Sequence, residues 1–214
     1  MTTAEASKIR YSTQNKDRLL DVTDPQAAYY IGLLFADGYV DYRGRSVSIA
    51  LRDYDAHILY DFARFLGLPE TAVRVVSRSR QNQRVLTINS ASVVRKLYAY
   101  GIVPRKSTHG VPFFPQDNPD ALMAFIHGWL DGDGHIKKQC MFSMSTEVQA
   151  SVLCAYLRVL GGVGTIGHVG KYYRVVLNKR DNMQFLSRLF NQPICCIERK
   201  SRAFVEFYCR KING

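Results

Sequence analysis

The 214-residue sequence has little of what would place a protein in a membrane or outside the cell. No stretch approaches the roughly 20 apolar residues of a membrane-spanning helix, and residues 1–24 lack the apolar core of a secretory signal. The five cysteines are odd in number and show neither Cys-x-x-Cys nor Cys/His spacing, which argues against a disulfide framework and a zinc knuckle. We therefore expect a soluble intracellular protein of the cytoplasm, the nucleoid or an organelle matrix, with no membrane partner.

Acidic side chains are also scarce beside basic ones. Lys and Arg number 29 against 18 for Asp and Glu, which gives a formal net charge of +11. Residues 1–107 hold 16 basic and 10 acidic side chains and the remainder holds 13 and 8, so the excess is not confined to a tail. An evenly basic chain predicts a polyanionic partner, with nucleic acid ahead of an acidic membrane surface.

One pattern occurs twice, 96 residues apart. An apolar stretch that contains a glycine runs into an Asp-Gly step, first as Tyr30-Ile-Gly-Leu-Leu-Phe-Ala-Asp37-Gly38 and then as Ile126-His-Gly-Trp-Leu-Asp-Gly-Asp133-Gly134. Later segments also match in the same order, among them Arg105-Lys106-Ser107 with Arg199-Lys200-Ser201. The sequence therefore predicts a duplication, with an N-terminal arm at 1–24, a first repeat at 25–107, a linker at 108–119 and a second repeat at 120–214.

Each repeat is predicted to alternate helices with strand pairs. In the first repeat we expect helices at 25–35, 54–65 and 91–100 and strands at 39–42, 46–51, 73–80 and 84–88. In the second repeat we expect helices at 122–130, 147–160 and 183–190, with strands at 139–145, 165–169 and 172–177. Gly38 is expected to end the first helix in a left-handed conformation.

Small residues recur four apart on both motif helices, at Gly32, Ala36, Gly128 and Gly132. This spacing lies on one helical face and lets two backbones approach closely. Packing of these faces would bring Asp37 and Asp133 together at two helix C-termini, where their charges repel each other. A divalent cation that prefers oxygen ligands would neutralise them. The alternative is a pair of amphipathic core helices that end in common Asp-Gly turns.

The two motifs at this spacing resemble those of the LAGLIDADG homing endonucleases in their single-chain, two-repeat form, over about residues 25–205. Phe35 stands where the family motif often has its first acid, whereas Asp131 retains it. The resemblance implies an α+β fold with two pseudo-symmetric αββαββα halves. Their antiparallel strands would form a DNA-binding saddle, with a two-helix interface between the halves.

The resemblance also implies a site and an activity. Asp37 and Asp133 would be ligands of the catalytic metals, together with the backbone carbonyl groups of Ala36 and Gly132. Lys106 and Lys200 would border the site as catalytic residues. The implied reaction is hydrolysis of both strands of a long asymmetric DNA duplex by a monomer, as in intron or intein homing. The implied cofactor is Mg²⁺, with Mn²⁺ as an alternative and Ca²⁺ as a cation that binds without turnover.

The predicted strands carry much of the basic charge. Arg74, Arg78, Arg80 and Arg84 occupy even positions and would share one strand face. Polar side chains at a hairpin tip would reach base edges in a major groove, where arginine reads guanine and Asn or Gln reads adenine. The other candidate DNA contacts are Arg43, Arg45, Gln81, Asn82, Gln83, Lys137, Lys138, Lys171 and Arg174. The alternative for each is a solvated charge on an exposed strand.

Two other functions would use the same scaffold. An intron maturase is an RNA splicing cofactor whose partner is the host intron RNA, and it can keep both acids. A non-cleaving DNA-binding regulator is expected to have lost an acid. Because Asp37 and Asp133 are both present, the sequence favours the endonuclease over the regulator and leaves the maturase open.

Overall fold

The computed structural model describes residues 15–78, 81–137 and 139–206. The first half contains α1 (Pro25–Asp37), β1 (Tyr39–Val40), β2 (Ser46–Arg52), α2 (His57–Phe65), β3 (Val73–Arg78), β4 (Gln81–Asn89), α3 (Ala91–Leu97) and the short α4 (Lys106–His109). The second half contains α5 (Pro119–Asp133), β5 (Gly134–Ile136), β6 (Cys140–Met144), α6 (Glu147–Val159), β7 (Gly164–Val169), β8 (Tyr172–Leu177), α7 (Lys179–Phe190) and α8 (Glu198–Phe204).

The strands form two four-stranded antiparallel sheets with the same topology. The order is β1-β2-β4-β3 in the first sheet and β5-β6-β8-β7 in the second. Every neighbouring pair is antiparallel. The predicted α+β fold with two matching halves and a two-helix interface is therefore confirmed. The sequence did not show β5, because three residues that begin with a glycine are too few to display an alternating pattern.

The two motif helices are longer than predicted, since α1 begins at Pro25 as expected but continues to Asp37, and α5 extends three residues further at each end. Both helices have strong N-caps. The Asp24 side chain accepts a hydrogen bond from the backbone N–H of Gln26 at 2.8 Å, and Asn118 accepts one from Ala121 at 3.1 Å. A proline occupies the first turn of each helix, where its missing N–H costs nothing. These caps fix where α1 and α5 begin.

The prediction that Gly38 adopts a left-handed conformation is wrong. Its φ is −68° and ψ is 146°, so the chain passes directly from α1 into an extended strand. Glycine is required there for a different reason. A Cβ on Gly38 would lie 2.3 Å from the carbonyl oxygen of Leu34, which leaves no room for a side chain.

Helices α1 and α5 cross through the middle of the core with their backbones in contact. A Cβ on Gly32 would lie 2.0 Å from the carbonyl oxygen of Phe125, and one on Gly128 would lie 2.0 Å from that of Tyr29. Nearer the C-termini, a Cβ on Gly132 would lie 2.2 Å from the Cβ of Ala36. The predicted small-residue faces are thus the faces that pack together.

Each sheet buries one face against the helices and leaves the other open. In β2 the burial alternates, with Val47, Ile49 and Leu51 in the core, and in β6 Phe142 and Met144 are buried. The residues between them form the open faces. Upstream, a 3-10 helix at Lys16–Leu20 buries Leu19 in the same core. None of the helices in the described ranges is long and apolar enough to cross a membrane.

Candidate metal and nucleic-acid site

The C-termini of α1 and α5 bring Asp37 and Asp133 to the same place. A Cβ on Gly132 would lie 3.3 Å from a carboxylate oxygen of Asp37, so the end of one motif faces the acid of the other. Partial desolvation in this position raises the pKa of Asp37 above its usual value. Desolvation and then the neighbouring charge of Asp37 raise the pKa of Asp133 to about 6. Two carboxylates that resist ionisation together are a place where a cation binds favourably.

A lysine sits at the C-terminus of each motif helix. The ammonium of Lys106 donates to the carbonyl oxygen of Ala36. The ammonium of Lys200 donates to the carbonyl oxygens of Leu130 and Asp131, both at 2.6 Å, and of Gly134 at 2.8 Å. Both lysines therefore place positive charge at the negative end of a helix dipole. Burial lowers the pKa of each lysine, and nearby carboxylates oppose that shift.

Each lysine-bearing segment is held by a side chain from the opposite half. The Gln149 amide donates to the carbonyl oxygens of Gly110 at 2.8 Å and Lys106 at 3.3 Å. The carboxylate of Asp55, which is buried, accepts from Nε of Arg199 at 2.9 and 3.0 Å. Sequence reasoning did not identify Gln149, Asp55 or Arg199 as site residues, because the contacts join residues that are far apart in the chain.

The side chain of Asp131, the first acid of the second motif, forms hydrogen bonds that connect the two halves. One of its oxygens accepts from the hydroxyl of Tyr29 at 2.7 Å and from the backbone N–H of Ile197 at 2.8 Å. Tyr29 belongs to α1 and Ile197 precedes α8. The bonds therefore tie the first motif helix to the segment that carries Lys200.

A cleft opens on each side of the paired carboxylates. The Asp133 cleft, of about 210 Å³, is also lined by Ala36, Lys106, Ser143, Ser145, Gln149 and Tyr172. The Asp37 cleft, of about 190 Å³, is also lined by Arg52, Asp55, Gln83, Gly132 and Arg199. A larger cavity of about 560 Å³, lined by His57, Asp61, Cys195 and Cys196 among others, contains neither motif carboxylate.

The residues present fit a hard divalent cation. Mg²⁺ commonly takes one or two protein carboxylates and completes its shell with water and substrate phosphate. Asp37 and Asp133 supply two such oxygen donors, and their mutual repulsion would be relieved by a cation. Within the described ranges, no group of three or more His, Cys, Asp or Glu side chains has the geometry of a metal site. The Ala36 carbonyl oxygen, a predicted ligand, accepts from Lys106, so a cation would share this oxygen with the ammonium or replace it.

The open face of the first sheet carries only part of the predicted arginine set. Arg74 pairs with Val85 and lies on the open face, as do Arg52 and Gln83, which pair with each other. Arg84 pairs with Leu51 on the helix side and bonds Asp53 at 2.7 Å and Tyr60 at 3.2 Å. The prediction that Arg84 shares a face with Arg74 is wrong, because the turn between β3 and β4 reverses the chain and exchanges odd and even positions.

The other predicted DNA contacts are distributed over turns and both sheets. Arg174 lies on the open face of the second sheet, opposite Ser143, and Arg43, Arg45, Lys137 and Lys171 are exposed in or beside turns. Asn82 pairs with Ser77, whose hydroxyl bonds its side chain at 3.1 Å, on the helix side of the first sheet. Arg80 and Lys138, and the side chains of Arg78 and Gln81, lie outside the described residues.

Solved structures share this fold. The chain is similar to I-DmoI in complex with DNA and Mn, with a TM-score of 0.57, 18% identity, and coverage of 80% of this chain and 99% of that one. It is similar to I-DmoI in complex with DNA and Ca, with a TM-score of 0.61, 16% identity, and coverage of 87% and 99%. It is also similar to the N-terminal LAGLIDADG domain of DUF199/WhiA, with a TM-score of 0.57, 14% identity, and coverage of 90% and 96%.

The chain is therefore a protein of the LAGLIDADG-type fold. The resemblance found in the two sequence motifs is confirmed by the three-dimensional likeness to I-DmoI, a homing endonuclease. No protein-family model matches the chain, and no curated protein matches it by sequence. At these identities the solved structures establish the fold, and the function has to be argued from the site.

Proposed function

We propose that the chain is a metal-dependent, site-specific DNA endonuclease that acts as a monomer. It would hydrolyse both strands of a long asymmetric duplex, as intron or intein homing requires. The observation that carries the proposal is the convergence of Asp37 and Asp133 at two helix ends, between sheets whose open faces carry arginines. Support comes from I-DmoI, which shares the fold and was solved with DNA together with Mn or Ca.

The proposed chemistry assigns each part of the site a task. Asp37 and Asp133 bind the cation, with the carbonyl groups of Ala36 and Gly132 beside them. Bound Mg²⁺ or Mn²⁺ would act as a Lewis acid on the scissile phosphate and lower the pKa of the attacking water. Lys106 and Lys200 keep positive charge beside the carboxylates, and so offset the negative charge that develops on phosphate. The two clefts give each DNA strand its own set of neighbouring side chains.

The open faces of the sheets would bind the duplex on either side of these clefts. Arg52, Arg74 and Gln83 on the first sheet and Arg174 on the second would contact phosphates and base edges. Arginine matches the two acceptors of guanine, and glutamine matches the donor and acceptor of adenine. Because the side chains of the two faces differ, the bound sequence is expected to be asymmetric.

A selection tests the proposal. A randomised duplex library is incubated with the chain and Mg²⁺, and the cleaved and the bound molecules are recovered separately. We expect one asymmetric sequence cut on both strands, and loss of cleavage but not of binding in Asp37→Asn and Asp133→Asn. Asp117→Asn, which removes an exposed acid from the linker, is the matched control. Full cleavage by either motif variant would overturn the metal assignment.

The same selection separates the two other uses of this scaffold. The TM-score to the WhiA domain equals that to one I-DmoI complex, so the fold alone does not choose a cleaving function. A bound duplex that is never cut would identify a DNA-binding regulator. Tighter binding to a host intron RNA than to the intronless duplex would identify a maturase. The paired acids favour the endonuclease over the regulator.

A further inference from the structure

The two clefts differ in the cations that line them. Lys106 lines the Asp133 cleft, whereas the Asp37 cleft is lined by two arginines, Arg52 and Arg199, and not by Lys200. The duplicated Arg-Lys-Ser segments would have predicted the same cation on both sides. The structure departs from that symmetry on the side of Asp37.

Lys200 has no donor left for a ligand. An ammonium group has three N–H donors. Those of Lys200 serve the carbonyl oxygens of Leu130, Asp131 and Gly134, and the residue is 4% exposed. Lys106, the corresponding lysine of the first repeat, donates to one carbonyl oxygen and is less buried. Lys200 therefore serves as the C-terminal cap of α5, and its direct contact with a phosphate would require at least one of these bonds to break.

Arg199, unlike Lys200, keeps hydrogen-bond donors that a ligand could use. Both oxygens of the buried Asp55 accept from its Nε, while its side chain remains 49% exposed. Its guanidinium carbon lies 5.6 Å from the centre of the Tyr54 ring, and Arg52 approaches the same ring at 5.9 Å. Among the described residues, neither terminal nitrogen of Arg199 has a hydrogen-bond partner. The Nε–Asp55 bonds therefore hold the guanidinium group in place, while its two terminal nitrogens can still donate to a phosphate.

Arg105, which corresponds to Arg199 in the first repeat, is placed differently. It has a left-handed backbone with φ of 55°, is exposed, and does not line either cleft. No carboxylate in the described part of the chain forms an ion pair with it. The anchoring of Arg199 by Asp55 is therefore a feature of the second repeat alone.

We propose that Arg199 binds the DNA phosphate at the Asp37 cleft, that Asp55 is the residue that positions it, and that Lys106 has the corresponding task at the Asp133 cleft. This rests on the proposed function, since it assumes that the saddle binds DNA. Its consequence is that the two strands depend on different cations. Loss of Arg199 affects the strand in one cleft and loss of Lys106 affects the strand in the other.

The binding test uses metal-free protein and the duplex recovered from the selection. A series of duplexes carries a single uncharged methylphosphonate at successive central phosphates, and affinity is measured for each. For the wild type we expect about a tenfold loss at the phosphate that Arg199 contacts, since the methylphosphonate removes the charge and weakens the charge-assisted hydrogen bond there. Arg199→Gln and Asp55→Asn should bind this modified duplex and the unmodified one equally well. At every other phosphate, modification should change the affinity of these two variants as much as it changes that of the wild type.

The cleavage test resolves the strands by labelling each 5′ end. Arg199→Gln should slow one strand by about 10- to 100-fold and accumulate nicked duplex, as expected when a donor to developing charge is removed. Lys106→Met should slow the other strand. Arg202→Gln is the matched control, because Arg202 is an exposed arginine on the same helix, α8, where it pairs with Glu198 at 2.8 Å. It should match the wild type in both assays.

The outcomes separate this inference from the proposed function. Equal slowing of both strands by Arg199→Gln, or an unchanged methylphosphonate pattern, would overturn the role of Arg199 while leaving a nuclease. A wild type that binds but never cuts, and that still loses phosphate discrimination in Arg199→Gln, would overturn the nuclease and keep the phosphate contact. Loss of discrimination in Arg199→Gln but not in Asp55→Asn would remove Asp55 from its positioning role.

Discussion

Gly32 and Gly128 occupy reciprocal positions, each against the backbone of the other helix. A Cβ on either would lie 2.0 Å from a carbonyl oxygen of the opposite motif helix. The separation of α1 from α5 is therefore set by backbone contact, with no side chain between them. Because Asp37 and Asp133 end these helices, the same contact determines how close the two carboxylates lie.

Gly128→Ala is expected to destabilise the protein by about 3 kcal/mol, since overpacking a tight core commonly costs this much. The alanine methyl group cannot be accommodated unless the helices separate. Urea unfolding measures the loss. Gly167→Ala is the control, because a Cβ at Gly167 would meet no atom within 4 Å. Similar stabilities for the two variants would mean that the helices do not cross as closely as the structure shows.

The two lysines should differ in what they do for stability. Lys200→Met removes a donor from three carbonyl oxygens, of which that of Leu130 keeps a second bond, from the backbone N–H of Gly134, so we expect the free energy of unfolding to fall by about 3 kcal/mol. Lys106→Met removes a donor from one such oxygen, at a less buried site, and should cost about 1 kcal/mol. Urea titrations of both variants beside the wild type test this order. The reverse order would contradict the capping role of Lys200.

The salt dependence of DNA binding should distinguish the two faces of the first sheet. Arg74→Ala removes a charge from the open face and should lower the slope of log K against log salt by about one. Arg84→Ala should leave the slope unchanged, because Arg84 lies on the helix side and pairs with Asp53 at 2.7 Å. Titration of a labelled duplex at several salt concentrations measures both. A lowered slope for Arg84→Ala would place that side chain on the DNA.

Local patterns predicted the order of helices and strand pairs in each half, and the family resemblance implied how the halves assemble. The Asp-Gly steps, the small residues four apart and the alternating strands are each visible among residues that are close in the sequence. They predict both motif helices and seven of the eight strands in the described ranges near their observed positions. The close approach of the motif helices also followed from Gly32 and Gly128. The exception, β5, was too short to carry a pattern of its own.

The details of the site required three dimensions. Nothing near Arg199 in the sequence indicates that Asp55, 144 residues away, anchors it. The face of Arg84 depended on how the β3–β4 turn reverses the chain, which a count of even positions cannot show. The matched Arg-Lys-Ser segments predicted two equivalent lysines, whereas hydrogen bonding makes Lys200 a cap. Sequence duplication thus predicted symmetry well and could not reveal where the symmetry breaks.

A buried histidine should make the protein sensitive to acid. His127, in α5, is 1% exposed and packs between the rings of Tyr29 and Phe190, at centroid distances of 5.8 and 5.1 Å. Burial lowers its pKa, while the charge of Asp131 opposes the shift and that of Lys200 adds to it. In the folded state the ring is therefore neutral at a pH where the unfolded chain already binds a proton.

The sign of the effect follows from proton linkage. Because the unfolded state binds the extra proton, stability is fully present above the unfolded pKa of about 6.5 and is lost as the pH falls below it. Between pH 7.5 and pH 5.5 this group should remove up to about 1.4 kcal/mol. His127→Phe keeps an aromatic ring but cannot be protonated, so its free energy of unfolding should fall less over the same range. Urea unfolding at both pH values compares the two slopes, and equal slopes would show that the buried ring is protonated as readily as in the unfolded chain.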